Sequence, residues 1–176
     1  MSINKNHQTL INNKTVDKSS TSKSKFVCIS NLDDVDAAFY QPILGYNDAI
    51  RLDLHLNVFE NIIGDMLFNP TVITKLGFLS TKYCIDELLR KKTASLTTFE
   101  QARVKIVKAL INDNSPFVFT NPTKDLDVIS SKIICKYLKD LTLEDKTVIV
   151  FSTQAFVKNY SDINYQLIDY ALVAEN

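Results

Sequence analysis

From Phe26 onward, apolar positions fall into blocks with two different periods, and the blocks predict the elements. Residues 57 to 68 (NVFENIIGDMLF) set Val58, Phe59, Ile62, Ile63, Met66 and Leu67 on one face of a helix. Asn57 followed by Glu60 makes a capping pair for its start. The pattern predicts a second helix over about Thr81 to Lys92. Tyr83, Leu88 and Leu89 would turn inward, and Arg90-Lys91-Lys92 would suit the C-terminal end of the helix dipole. A third helix spans Thr98 to Asn112, with Phe99, Val104, Val107, Leu110 and Ile111 along one stripe and Thr97 with Glu100 as a capping box. A fourth covers about Asp127 to Leu141. Between them lie short runs of β-branched and aromatic residues: Phe26 to Ile29, 117 to 120 (FVFT), Thr147 to Ser152 (TVIVFS) and Tyr170 to Ala174. Continuously apolar strands alternating with helices predict an α/β second half, with a parallel sheet covered on both faces and a mostly helical segment before it. Residues 1 to 25 are rich in Asn, Ser, Thr and Lys and bury too little apolar surface to offset ordering, so they read as a flexible polar tail. The basic run Lys18 to Lys25 reads as a solvated leader ahead of an anion-binding arm.

Composition narrows the function classes. Twenty basic and twenty acidic residues balance to a net charge of +0, and the aromatics are not interleaved with Lys/Arg runs. The chain therefore carries no signal for nucleic acid or for an acidic membrane surface. Cys28, Cys84 and Cys135 stand far apart, and His7 and His55 are the only histidines. No local chelating pair exists for a metal, so the thiols read as reduced, and those of Cys84 and Cys135 as helix packing residues. Asp33-Asp34-x-Asp36 reads as a solvated turn, Glu144-Asp145 as a surface loop, and His55 as structural or exposed. With no apolar run near the 18 residues of a membrane span and no signal peptide, the expected location is cytoplasmic.

The order of blocks resembles the ATP-binding cassette (ABC) ATPases. Leu96-Thr97-Thr98-Phe99-Glu100-Gln101-Ala102-Arg103-Val104 stands where that family has its L-S-G-G-[QE]-x-Q-R-V signature helix. Phe117 to Phe119 followed by Thr120-Asn121-Pro122-Thr123-Lys124-Asp125-Leu126-Asp127 matches the apolar strand and D-E-P-T-x-x-L-D. Thr147 to Gln154 matches T-V-I-V-x-[ST]-H-D, and Ile168 to Asn176 looks like the I-A-D-x-[AI]-x-V-x-[DE]-x-G close, cut before its glycine. Leu56 to Ile62 is similar to the L-[TN]-V-x-E-N opening of the helical subdomain, and its L-N-V-F-E-N form is most like the lipid-transport branch. The resemblance implies an α/β fold, an incomplete P-loop NTPase core with a helical subdomain. It implies a single domain over 26–176, with the helical subdomain at about 57–95 and the signature helix and RecA-like half at about 96–176.

The departures bear on chemistry. No G-x-x-x-x-G-K-[ST] loop is present, since Gly45, Gly64 and Gly77 lie elsewhere. Thr98 and Phe99 replace the signature glycines, and a phenyl ring obstructs a phosphate approaching a helix N-terminus. Thr120 stands at the metal-organising carboxylate, Asn121 at the water-polarising glutamate and Thr153 at the switch histidine. Asp127 keeps its character at the D-loop position, which the family places between its two cassettes. The Q-loop position falls on Gln41 or on Ala49. Phosphoryl transfer depends on positioned phosphates, a metal and an oriented water. The expectation is therefore a pseudo-ATPase with no catalytic residues, no metal or cofactor and no ATP binding. Degenerate family positions run through Thr97, Thr98, Phe99, Glu100, Thr120, Asn121 and Thr153. It would act beside a sister ABC ATPase or on the coupling helices of a permease, peripheral at the inner face of a membrane. The alternative is a stand-alone scaffold, or a truncated ATPase without activity.

Overall fold

The computed structural model describes residues 24–30, 50–66, 69–113, 116–168 and 171–175. Strands β1 (Phe26–Ser30), β2 (Phe117–Thr120), β3 (Val148–Phe151), β4 (Ile163–Ile168) and β5 (Ala171–Ala174) form one sheet in the order β2-β3-β1-β4-β5. The first four run parallel, and β5 turns back antiparallel on β4. The expected all-parallel sheet is thus a mixed one. A strand that follows β4 after two residues can pair with it only as a hairpin, because a parallel return needs a long crossover. The Ile163–Ile168 strand has no counterpart in the sequence pattern, since five of its six residues are half-buried and give no clear period.

Among the described residues the α-helices are α1 (Val58–Ile63), α2 (Pro70–Lys82), α3 (Thr98–Asn112) and α4 (Val128–Leu143). Both capping boxes form: Asn57 Oδ1 accepts from Glu60 N at 2.8 Å, and Glu60 Oε2 accepts from Asn57 N at 2.8 Å. Thr97 Oγ1 and Glu100 make the same exchange at the start of α3. α1 ends earlier than its apolar pattern, because Gly64 takes φ +50 and starts a 3-10 turn through Met66. Leu67 lies outside the described residues.

The helix expected over Thr81–Lys92 is not there. The chain is helical before it, from Pro70, where Asn69 caps Thr71 and Val72 and proline at the first helical position loses no bond. α2 stops at Lys82; Cys84 adopts φ 53, and Ile85 N donates back to Ser80 O at 2.8 Å. Tyr83 and Leu88 are still buried, but from turns rather than a helical stripe, and Leu89 is half-buried. Cys84, expected inside a helix, is exposed in this left-handed turn, whereas Cys28 and Cys135 are buried.

One apolar core holds these elements. Phe26 and Cys28 from β1, Phe117 and Phe119 from β2, and Val148 and Val150 from β3 meet Ile134, Cys135, Leu138 and Leu141 of α4 and Val104, Val107, Leu110 and Ile111 of α3. The opposite sheet face contributes a smaller cluster of Ile29, Val118 and Phe151. The expected tail, 1 to 25, lies outside the described residues except for Ser24 and Lys25; Lys25 O already accepts from Val148 N at 2.9 Å.

Candidate functional site

β1 is flanked by β3 and β4, both later in the chain. That is a topological switch point, and open parallel sheets bind ligands at the carboxyl ends of the strands there. Three ends converge: Ser30 on β1, Thr120-Asn121 on β2 and Ser152-Thr153 after β3. Asn121 N donates to Phe151 O at 2.8 Å and Ser152 N to Ile29 O at 3.0 Å, which ties the three together. The residues that follow β1, Asn31 to Ala38, contain neither glycine nor lysine. They lie outside the described residues, as do Gln41, Ala49 and the Asp33-Asp34-x-Asp36 run.

β2 ends on neutral side chains. Thr120 Oγ1 is buried with no hydrogen-bond partner among the described residues, and Asn121 sits at φ 43 in a left-handed conformation. Asparagine tolerates that conformation better than most residues, which fits the sharp turn that follows. In the turn, Lys124 N donates to Asn121 O at 3.0 Å and Leu126 N to Thr123 O at 3.3 Å. Thr123 is buried, and its hydroxyl donates to Gln154 Oε1 across the strand ends. Asp127, at the D-loop position, commits its carboxylate to the N-cap of α4, accepting from Ile129 N and Ser130 N, both at 2.9 Å. Its pKa is lowered, first by the Ser130 hydroxyl and then by those backbone amides. Thr153, at the switch position, is exposed.

At the start of α3 the ring of Phe99 is half-buried under Arg103, whose guanidinium carbon lies 4.7 Å from the ring centre. Thr97 and Glu100 hydrogen-bond each other, and Glu100 also faces Lys91 at 3.5 Å. Thr97, Thr98 and Phe99 are therefore one helix entrance closed by its own cap and ring. Of the three, only Thr98 lines the cleft beside the end of β2.

That cleft, of about 550 Å³, was not legible in the sequence. Its apolar wall includes Ile50, Leu52, Ile106 and Phe119; Arg51, Lys105 and Lys124 bring cations to it, and Asp125 one carboxylate. A second group missed in the sequence is Glu175, whose carboxylate takes Lys158 Nζ at 2.6 Å and the Ser30 hydroxyl at 3.4 Å beside the end of β1. Sequence spacing gives no signal for either, because each joins residues from separate elements far apart in the chain. The described residues contain no group of three or more His, Cys, Asp or Glu side chains able to hold a metal ion. No helix among them is long and apolar enough to cross a membrane.

The architecture and the blocks carried on it define a cassette-like α/β protein. The dimeric structure of a bacterial ABC transporter cassette superposes with a TM-score of 0.72 at 19% identity, covering 88% of this chain and 86% of that one. The fold is that of an ABC ATPase domain. In sequence, the uncharacterized ABC transporter ATP-binding protein YclH of Bacillus subtilis is 37% identical over 83 residues, 47% of this chain and 37% of its own length. The macrolide export ATP-binding/permease protein MacB of Haemophilus ducreyi is 33% identical over 78 residues, 44% of this chain and 11% of its own. The chain spans less than half the length of the curated relatives it matches. No family model matches it. Over less than half of its length, then, the chain is similar in sequence to ABC transporter ATP-binding proteins, on a fold like that of an ABC transporter cassette.

Proposed function

We propose that this chain is a pseudo-ATPase, a structural or regulatory partner in an ABC transport complex. The observation that carries the reading is the end of β2, where Thr120 and Asn121 follow the apolar strand and present no carboxylate. A magnesium ion and a polarised water need anionic ligands there, and a hydroxyl and an amide offer neither charge nor a base. The sequence after β1 supports it further, because Asn31 to Ala38 offer neither glycine, the residue that most readily lets successive backbone amides turn onto phosphate oxygens, nor a lysine to reach them. Phe99 under Arg103 leaves no bare helix entrance for a partner's nucleotide at α3.

The fold-making parts are kept: the apolar strand cores, the Pro122-Thr123 turn and the capped α3. A kept shape with altered chemistry fits a protein whose surfaces are used. Its partner would be a sister ATPase, for which Asp127 marks the meeting edge, or the coupling helices of a permease. The form Leu56-Asn57-Val58-Phe59-Glu60-Asn61 favours the lipid-transport branch. The deciding experiment is calorimetry of the full chain with Mg-ATP, paired with affinity purification from its own cells. The expectation is no saturable heat up to millimolar nucleotide and co-purification of an ATPase or permease. Micromolar Mg-ATP affinity would overturn the reading, and purification without either partner would favour a stand-alone scaffold.

A further inference from the structure

We infer that the outer edge of β5 pairs antiparallel with β5 of a second copy of this chain, about a two-fold axis at Val173, and joins the two sheets into one. This surface goes beyond the proposed partner role. It is the opposite end of the sheet from β2, whose following turn carries Asp127.

Among the described strands, β5 ends the sheet on one side and β2 on the other. The two edges differ. Phe117, Val118 and Phe119 of β2 are 1%, 2% and 4% exposed, so both faces of that strand are covered. On β5, Leu172 is 45% and Val173 46% exposed, and they point to opposite faces, Leu172 beside Leu167 and Val173 beside Gln166. A docked helix would cover one of those faces only. Apolar side chains open on both faces call for another strand alongside. The strand reads ALVA and has none of the charges or prolines that guard exposed edges.

The ladder with β4 fixes which backbone groups are left for that strand. Glu175 N donates to Asn164 O at 2.9 Å, so these two residues form a hydrogen-bonded pair. Such pairs alternate along an antiparallel ladder. Val173 with Gln166 is therefore the next one, and the N–H and C=O of Leu172 and Ala174 turn outward. Outward groups on either side of one residue match themselves about a two-fold axis. Leu172 of each copy exchanges both bonds with Ala174 of the other, and Val173 meets the second copy's Val173. No charge lies within the strand to oppose its own copy, and Glu175 is already held by Lys158. This self-matching spacing singles out a second copy over an unrelated strand, which has no need of symmetry about Val173. A strand of four residues is a short contact, so the dimer is weak, at the low end of specific interfaces.

The test is sedimentation velocity of the full chain from about 10 µM to about 1 mM, with amide hydrogen exchange at both ends of that range. We expect the mass to rise from monomer towards dimer. The amides of Leu172 and Ala174 should gain protection on association, while that of Val173 is protected throughout. Val173→Lys and Val173→Glu should each weaken association by about fivefold, because like charges then meet on the axis, and an equimolar mixture of the two should restore it. Ala174→Pro removes an outward N–H and spares the β4 ladder, so it should weaken association by about tenfold. Thermal melts confirm that each variant is folded. A monomer throughout the range, association unchanged in both Val173 variants, or a mixture no stronger than either alone would each overturn the inference. Association that gains protection around Asp127 and not at Leu172 and Ala174 would overturn it too, and would favour the edge proposed for a sister ATPase.

Discussion

Arg103 stands one helical turn after Phe99 and covers its ring at 4.7 Å, while its guanidinium donates to the Cys84 carbonyl at 2.7 Å. One side chain thus seals the entrance of α3 and fastens it to the turn that ends α2. Its Nε is buried without a partner among the described residues, so the contact keeps an unmet polar group in place. Phe99→Ala and Arg103→Ala should be non-additive, with a coupling of about 0.5–1 kcal/mol in a double-mutant cycle by urea denaturation. Strict additivity would mean that the stacking carries no energy.

Glu100 gives an acid-dependent contribution. Its pKa is lowered, chiefly by the hydrogen bond from the Thr97 backbone amide, against a smaller opposing effect of desolvation. A lowered folded value means that the carboxylate stabilises the fold above the ordinary glutamate range and that this is lost as pH falls through the lowered value. Wild type should therefore exceed Glu100→Gln in stability at pH 7, with the gap closing as pH falls through and below the ordinary glutamate range. A constant gap across that range would show that charge has no part in the cap.

Asn61 is buried and fully used: its amide donates to Asp53 O and to the Thr93 hydroxyl, both at 2.7 Å, and its oxygen accepts from Asp53 N at 2.8 Å. Asn61→Leu keeps similar bulk and strands those partners, so it should cost about 2–3 kcal/mol and lower Tm by roughly 5–10 °C. A Tm within a degree of wild type would show that water takes over the bonds.

The three thiols should separate by reactivity. Burial pushes Cys28 up to about 11 and Cys135 up to about 12, whereas Cys84 is exposed. Native protein at pH 8 should take one iodoacetamide label by mass spectrometry, at Cys84, and three in denaturant. Labelling of Cys135 in native protein would require opening of the α4–sheet contact.

Much of this protein is local and so was readable in the chain. The α3 helix from Thr98 to Asn112 follows from its stripe and its Thr97–Glu100 box, both set by residues three or four apart. The strands at Phe117 and Val148 follow from unbroken apolar runs, and the neutral residues at 120, 121 and 153 are plain sequence facts. Local signals failed where the chain bends. Gly64 stops a helix whose apolar pattern continues, Cys84 turns the chain where a helix was expected, and the half-buried β4 carries no period.

Tertiary structure decided the rest. Strand order is a long-range choice, and only it sets β1 between β3 and β4, so that a strand candidate of four residues becomes the centre of the sheet. Only the packing of α3 beside β2 brings Lys105 and Thr120, fifteen residues apart, to one cleft. Sequence specifies which groups are available because their chemistry and short-range spacing are written in it. Which of them meet depends on how separate elements bury their apolar faces together.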